Sequence, residues 1–553
     1  MAFDNPTLKN WANKKALLID DFSGILTVMR SMLRHLGIEN LDQALNGNEA
    51  LLLLEKNRYD LVICDYNLGD GKNGQQILEE VKQRELILPS AIWLIVSAEK
   101  GVEAVMGAAE HQPDGYVVKP ITETALLARL ARIAEKKIIF RDIDRAMEAK
   151  AYSVAVQACD KCLVDPKNKL HIIDLLRLKA QLLLKIEQPD KARAVFEQVM
   201  ATRDFSWAKT GLAKVHLINN ELYAAKTLLQ EVIQDNPNYL EAYDILGECL
   251  LRLEESEAAK KLLAAATQLS PNSVLRQRNL GELAMKLGDF ATAEKAFRRG
   301  VLVGKYSFHK TPDSYLGLAR VCGLKGDSTE ALKLLNIVRE EFGTNDIELK
   351  AKISETHVFN DCGALAMARR AGNELSEILS NTTIRPDLAG CMDLAKLLLT
   401  VGATESGNDL IREIILNHHD NPVQIQECQA IFDTQSMSHA GAEVIAKASR
   451  EASEMMDKGM LLWRSGELAE AVNWMRKCRP KMSTNSRFFL NNARLLITYI
   501  EKNGPNRGLL DEAREVIAKA DQLSPDNRRS AEMMEKLAAF SIDSASQSDS
   551  RAS

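Results

Sequence analysis

The sequence of 553 residues predicts an α/β domain followed by a long all-α array of helical repeats. In the first part of the chain, short apolar runs alternate with amphipathic segments. This is the pattern of buried parallel strands joined by helices that cover both faces of a sheet. From about residue 138 the strand pattern stops, and a chain of this length exceeds what one hydrophobic core supports. We therefore predict a doubly wound, five-stranded parallel sheet and, after it, a helical superhelix.

Polar residues follow the apolar runs of the predicted sheet, at the points where the strands end. The run 17–19 precedes Asp20 and Asp21, the run 61–64 precedes Asp65, the run 92–96 precedes Ser97, and the run 115–118 precedes Lys119. Open α/β sheets bind their ligands beyond the carboxyl ends of the strands. We therefore expect these side chains to meet at one edge of the sheet.

The residue types at this edge indicate a phosphate site that holds a metal ion. Carboxylates such as Asp20, Asp21 and Asp65 are hard oxygen ligands of the kind that Mg²⁺ prefers. Asp65 can also act as a nucleophile. Ser97 can donate a hydrogen bond to a phosphoryl oxygen, and Lys119 can pair with the carboxylate or with the phosphate that replaces it.

This set, in this order, resembles the receiver domain of bacterial response regulators over roughly residues 13–137. The resemblance implies a flavodoxin-like fold in which Asp65 is the phosphoacceptor, and it assigns Ser97 and Lys119 to the hydroxyl and lysine of the family site. By the same resemblance, Asp20 and Asp21 form the acidic pair of that site. One departure is the loop 68–74, which lacks the proline that many receivers carry after the acceptor and has one extra residue.

The resemblance also assigns roles to three further residues. Tyr116 falls on the switch aromatic, and Asn67 falls where the family coordinates Mg²⁺ through a backbone carbonyl. Asn67 and Glu99 flank the site, and fast-cycling receivers of the chemotaxis type carry an amide and an acid at these two positions. We therefore expect both residues to tune dephosphorylation, with a phosphoryl lifetime nearer to seconds or minutes than to hours.

A repeat of 34 residues organises the helical part of the chain. The clearest unit contains Tyr243, Leu246, Gly247, Leu250, Ala259, Leu263, Ala266 and Pro271, and Pro237 precedes Pro271 by that period. The spacing is typical of tetratricopeptide repeats. Small residues such as Gly247 are expected to let two helices approach closely, and since one pair cannot bury its apolar face alone, the pairs are expected to stack.

These patterns divide the chain into six segments. We predict a flexible N-terminal arm at 1–13, a receiver domain at 14–137, tetratricopeptide-like repeats at 138–345, degenerate helical repeats at 346–450, C-terminal tetratricopeptide-like repeats at 451–538 and a disordered tail at 539–553. No Gly-, Pro- or Ser-rich linker follows the receiver. A helix that begins near Thr122 is therefore expected to continue directly into the repeats.

Net charge and hydropathy indicate which classes of binding partner and which cellular location to expect. The net charge of −5 gives no general electrostatic attraction to nucleic acid or to anionic membranes, so neither is expected as a partner. No apolar run approaches the length that crosses a bilayer, and the first residues lack the apolar core of a signal peptide. A cytoplasmic protein is expected.

The favoured interpretation is a two-component signalling adaptor without an enzymatic output. A histidine kinase or phosphotransfer protein would phosphorylate Asp65, and the repeats would bind an unidentified protein. The whole resembles tetratricopeptide-containing response regulators, which carry no DNA-binding effector. Two alternatives rank lower. A transcription regulator needs a helix-turn-helix module and a basic patch, and the sequence shows neither. An output enzyme needs a set of catalytic residues, and the last 400 or so residues show repeat spacing without such a set.

Overall fold

The structure is a computed structural model that describes residues 11–98, 113–381, 385–525 and 528–549, the last range without its side chains from residue 541 onward. The chain divides into two compact units, one ending at Val321 and the other beginning at Cys322. None of the helices in these described ranges is long and apolar enough to cross a membrane.

The first unit begins with a five-stranded sheet in which every pair of neighbouring strands is parallel. The strands are β1 Lys15–Ile19, β2 Asn40–Ala44, β3 Leu61–Asp65, β4 Ile92–Ser97 and β5 Gly115–Val118, in the order β2-β1-β3-β4-β5. The strand order reverses at β1, which opens a crevice at the carboxyl edge between β1 and β3. The predicted fold class is confirmed.

Helices cover both faces of this sheet. They are α1 Ser23–His35, α2 Gly47–Lys56, α3 Gly74–Gln83 and α4 Glu123–Glu148. Because side chains alternate along a strand, Leu17 and Ile19 pack in one core with α2 and α3, whereas Ala16 and Leu18 pack in another with α1 and α4. Trp11, within the predicted flexible arm, is 7% exposed and belongs to this second core. The packed domain therefore begins before residue 14.

The helix α4 joins the sheet domain to the repeats without a break. Thr122 caps its N-terminus by accepting a hydrogen bond from the backbone N–H of Ala125. Leu130 packs in the core of the sheet domain, and Ile143 packs in the core of the first repeat. The Lys137 ammonium also pairs with Asp114 at 3.0 Å, just before β5. The predicted continuous helix is confirmed.

The rest of the first unit consists of antiparallel helix pairs. They are α5 Tyr152–Val164, α6 Ile172–Lys185, α7 Pro189–Met200, α8 Ser206–Ile218, α9 Leu222–Asp235, α10 Leu240–Arg252, α11 Ser256–Leu269, α12 Val274–Lys286, α13 Phe290–Gly304 and α14 Pro312–Leu324, whose last residues lie past Val321.

Small residues face large side chains of the neighbouring helix in these pairs, and the room left for a side chain differs from one glycine to the next. A Cβ atom on Gly247 would meet Leu263 at 3.6 Å, which is an ordinary contact. A Cβ on Gly281 would meet the Phe297 ring at 2.6 Å, so any larger residue there would force this ring to move. The steric demand for a small residue is therefore stronger at Gly281 than at Gly247, because the Phe297 ring lies closer than the Leu263 side chain.

The second unit is helical throughout its described ranges. Its helices are α15 Ser328–Phe342, α16 Asn345–Asp361, α17 Leu365–Asn381, α18 Leu388–Thr400, α19 Thr404–His418, α20 Pro422–Thr434, α21 Ser438–Arg464, α22 Leu468–Cys478, α23 Ser486–Asn503, α24 Arg507–Leu523 and α25 Arg528–Asp549. The backbone of α25 thus extends past residue 538, the predicted end of the last repeat. The boundaries between the predicted repeat segments stay predictions.

Candidate functional site

The strand-end residues of the sequence meet at the carboxyl edge of the sheet. Asp20 follows β1, and Asp65 is the last residue of β3. One carboxylate oxygen from each of Asp20, Asp21 and Asp65 lies within 4.8 Å of the others. Asp20 and Asp65 are buried, at 1% and 7% exposure, while Asp21 is exposed. The crevice therefore holds two buried carboxylates and opens to solvent at the third.

Lys119 supplies the positive charge at this edge. Its ammonium group donates to Asp20 Oδ2 at 2.9 Å and lies 3.0 Å from Asp65 Oδ2. The backbone N–H of Lys119 also donates to the carbonyl oxygen of Ser97 at 2.8 Å, which fixes the residue against the end of β4. Two carboxylates thus share one cation, which is carried by the residue that directly follows β5.

Backbone groups hold the two buried carboxylates in place. The N–H of Phe22 donates to Asp20 Oδ1 at 2.9 Å, and the N–H of Tyr66 donates to Asp65 Oδ1 at 2.9 Å. Each carboxylate therefore uses one oxygen for the backbone and offers the other to Lys119. This arrangement fixes the orientation of both carboxylates.

Burial and pairing act in opposite directions on the acidity of these groups. Burial raises the pKa of Asp65, and nearby Asp20 adds to this, although Lys119 and the Tyr66 N–H oppose it. Burial by itself lowers the pKa of Lys119, but its bonds to Asp20 and Asp65 outweigh that and the pKa is raised. The Lys119 side chain is therefore held in its charged form.

Three of the remaining predicted site residues lie in the described part of the receiver domain. Ser97 ends β4 and is 2% exposed, and Tyr116 is half-buried on β5. Asn67 is exposed, and its side chain accepts from the N–H of Gly69 at 3.4 Å. Glu99 lies outside the described residues, so its role stays a prediction.

The loop that departs from the family pattern is shaped by two glycines and closed by a helix cap. Gly69 and Gly71 have φ values of +68° and +119°, which residues other than glycine rarely adopt. Asn73 then caps α3, and Gln76 completes a capping box with it. The extra length of the loop is thus taken up before α3 begins.

Comparison with known proteins identifies this domain. Residues 16–131 match the family described as response regulator receiver domain. The chemotaxis protein CheY-3 of Vibrio cholerae serotype O1 is 34% identical over 124 residues, which is 94% of that protein and 22% of this chain.

The chain belongs to the response regulator receiver family.

A second relative agrees with this assignment of the receiver domain. The chemotaxis protein CheY of Pseudomonas aeruginosa is 33% identical over 122 residues, covering 97% of that protein and 22% of this chain. A CheY-like receiver structure from Methanospirillum hungatei covers 22% of this chain and 95% of its own, with 25% identity and a TM-score of 0.21. After the receiver domain, residues 240–273 and 278–346 match tetratricopeptide repeat families. The predicted receiver domain followed by tetratricopeptide repeats is confirmed.

The acidic cluster of the receiver domain fits a divalent cation. Asp20, Asp21 and Asp65 offer charged oxygen ligands close to one another, and two of them are buried. Hard cations such as Mg²⁺ take oxygen ligands of this kind. The donor set therefore suits Mg²⁺ by its chemistry.

Three further receiver residues have their partners far along the chain, so the sequence alone does not mark them as contact residues. Lys72 and Gln76 donate to backbone carbonyl oxygens of Tyr306 and Val303. Glu79 accepts from the hydroxyl of Ser307. The only sequence signal in this segment was the capping box of α3, which marks a helix start but not a contact surface.

Proposed function

We propose that this protein is a phosphorylation-controlled adaptor in which Asp65 accepts a phosphoryl group from a histidine kinase or phosphotransfer protein. The single observation that carries the proposal is the shared ion pair of Lys119 with Asp20 and Asp65. A carboxylate that is buried, oriented by a backbone N–H and held next to a cation is suited to nucleophilic attack on a phosphoryl group.

The proposed transfer step is a displacement at phosphorus. A carboxylate oxygen of Asp65 forms a P–O bond with its lone pair while the P–N bond to the donor's phosphohistidine breaks. The electron pair of that bond returns to the imidazole ring. The product is an acyl phosphate on Asp65, and no oxidant or reductant is involved.

Asp20, Asp21 and Asp65, with the backbone carbonyl of Asn67, would hold a Mg²⁺ ion during this step. Bound there, the ion would neutralise charge on the phosphoryl oxygens. Lys119 would add a second positive charge, next to the oxygen of Asp65 that it already contacts. Ser97 would donate its hydroxyl hydrogen bond to a phosphoryl oxygen once the group is attached.

The repeats would be the output of the protein. Tetratricopeptide repeats form extended concave surfaces that suit protein ligands, and we propose that a partner protein binds there. Rearrangement of Lys119, Ser97 and Tyr116 around the acyl phosphate would change the affinity of this surface. We propose a cytoplasmic location and a non-enzymatic output, with no part for DNA.

The experiment that tests this proposal is quantitative capture of partners from a cell lysate with and without the phosphate mimic beryllofluoride. The bait is the full chain in the presence of Mg²⁺. We expect at least one protein whose capture changes with beryllofluoride on the wild type and not on Asp65→Asn. A capture profile that beryllofluoride leaves unchanged would refute a phosphorylation-controlled adaptor.

A further inference from the structure

The receiver domain is bonded to one segment of the repeats within the first unit. This segment, which we name the docking segment, comprises residues 303–309 at the end of α13 and in the turn before α14. The interactions that reach it include two with backbone carbonyl oxygens: Lys72 Nζ to Tyr306 at 3.1 Å and Gln76 Nε2 to Val303 at 3.1 Å. Glu79 contacts two side chains of the segment, with Ser307 Oγ 2.9 Å from its Oε2 and His309 Nε2 3.4 Å from its Oε1.

This contact is sheltered from solvent. The Glu79 side chain is 12% exposed and the His309 side chain 21% exposed, and Ser307 is 7% exposed. A carboxylate removed from water is costly unless it is paired and hydrogen-bonded. Glu79 is stabilised by two groups of the docking segment, so the two surfaces match in chemistry as well as in position.

The receiver side of the contact is packed directly on the phosphoacceptor. A Cβ atom on Gly74, the first residue of α3, would lie 2.2 Å from the carbonyl oxygen of Asp65. The N–H of Gly74 donates to the carbonyl oxygen of Tyr66 at 2.9 Å. The start of α3 therefore cannot stay fixed when the backbone around Asp65 shifts.

One side chain links the helix start to the repeats. Gln76 Oε1 accepts from the backbone N–H of Asn73 at 3.1 Å, which is half of the capping box. Its amide nitrogen donates to the Val303 carbonyl oxygen. A change in the loop that precedes Asn73 would therefore disturb the cap and the interdomain bond together.

Beside this contact lies a cavity of about 2040 Å³, whose walls come from the receiver domain and from the repeats. Tyr116 and Arg129 line it on the receiver side, and Asp244, Asn279 and Glu282 of α10 and α12 line it on the repeat side. The docked receiver domain therefore forms one wall of the surface on which a partner of the repeats would bind.

We propose that the docking segment is an intramolecular ligand of α3, bound while Asp65 is unphosphorylated and released when Asp65 carries a phosphoryl group. The inference rests on the proposed function, because it takes Asp65 as the phosphoacceptor. A phosphoryl group adds bulk and negative charge next to the peptide on which α3 is packed. The loop 66–73 then shifts, Lys72, Gln76 and Glu79 leave their partners, and the receiver wall of the cavity is freed.

Amide hydrogen exchange on the full chain tests this inference, with the docking segment as the reporter. We expect its amides to exchange roughly ten-fold faster when beryllofluoride and Mg²⁺ are bound, because the bonds to its carbonyl and side-chain groups are lost together and the segment then opens more readily. Glu79→Ala should give the same acceleration without beryllofluoride. Reading the effect across the contact, rather than on α3 itself, separates docking from a local change in the mutated helix.

Glu55→Ala is the matched control, since Glu55 pairs with Arg84 inside the receiver domain. In the Glu55→Ala protein, the amides of the docking segment should exchange at the wild-type rate. Fluorine NMR reports whether beryllofluoride is bound. If it is bound and amide exchange in the docking segment is unchanged, the inference is overturned and the proposed function still stands. A wild type that binds no beryllofluoride with Mg²⁺ present would refute the proposed function and the inference with it.

Discussion

Lys119 Nζ lies 3.0 Å from Asp65 Oδ2, and the same ammonium group is bonded to Asp20. Asp65 and Lys119 come from the ends of β3 and β5, with β4 between them. The ion pair therefore spans three strands at one edge of the sheet. A phosphoryl group on Asp65 would carry more negative charge than the carboxylate and would draw the ammonium towards itself. The pair therefore couples a change of charge at the end of β3 to the position of the Lys119 side chain at the end of β5.

The exposed member of the acidic cluster gives the cleanest test of the metal site. Asp21→Ala removes a charged oxygen ligand but no buried side chain, so Mg²⁺ affinity measured by calorimetry should fall at least about ten-fold, as it does even on loss of an outer-shell partner. Asp70→Ala, an exposed acid in the neighbouring loop, is the control and should bind as the wild type does. Equal affinities in Asp21→Ala and the wild type would refute the assignment.

The continuous helix α4 predicts that the two domains work only when they are rigidly joined. A Gly/Ser insertion after Lys137 would break this helix between its two cores. We expect beryllofluoride to bind the inserted protein normally but no longer to alter partner capture. The same insertion after Gly504, in the loop between α23 and α24, should leave switching intact. Full switching with the first insertion would contradict the rigid connection.

Asp144 on α4 predicts a pH-dependent stability. Burial raises its pKa to about 6; Lys137 opposes this shift, and Glu148 and Asp114 add to it. The folded protein thus holds this proton more tightly than the unfolded chain, so Asp144 favours folding at low pH, and that contribution is lost as the pH rises to about 6. Asp144→Asn should therefore stabilise the protein by about 1–3 kcal/mol near neutral pH and hardly at all near pH 4.

Urea denaturation at several pH values measures this effect. Asp142→Asn, on the same helix with its side chain 69% exposed, is the control and should change stability little at any pH. A gain for Asp144→Asn that is the same at all pH values would show that the burial of the charge is not its cause.

The phosphoryl lifetime is predicted by the residues that flank the acceptor. Asn67 is exposed and not bulky, so it leaves the site open to the water that hydrolyses an acyl phosphate. Loss of label from purified, kinase-free protein should take seconds to minutes. Glu99→Leu should slow the loss by shielding the site. A half-life of hours for the wild type would contradict this assignment of Asn67 and Glu99.

Much of the site could be predicted because it depends on strand ends. The polar residues Asp20, Asp65, Ser97 and Lys119 each follow an apolar run, and parallel strands bring such positions to one edge whatever the helices do. The continuous helix α4 was predictable for a similar reason, since no helix-breaking residue interrupts it.

The contact between α3 and the docking segment could not be predicted in this way. Gln76 and Val303 are far apart in sequence, and the bond between them depends on how many repeats precede α13 and on the angle at which each pair stacks. No residue type marks either partner, since one of them is a backbone carbonyl. The buried Trp11 was missed because the short run around it has no strand or helix period.

The role of Asp65 can be tested by phosphorylating the purified full chain with a small phosphodonor and mapping the labelled residue by mass spectrometry. We predict a base-labile label on Asp65 that requires Mg²⁺. It should be absent from Asp65→Asn, which keeps the size of the side chain and removes only the nucleophilic carboxylate. Undiminished labelling of a folded Asp65→Asn protein would contradict the central claim that Asp65 is the phosphoacceptor.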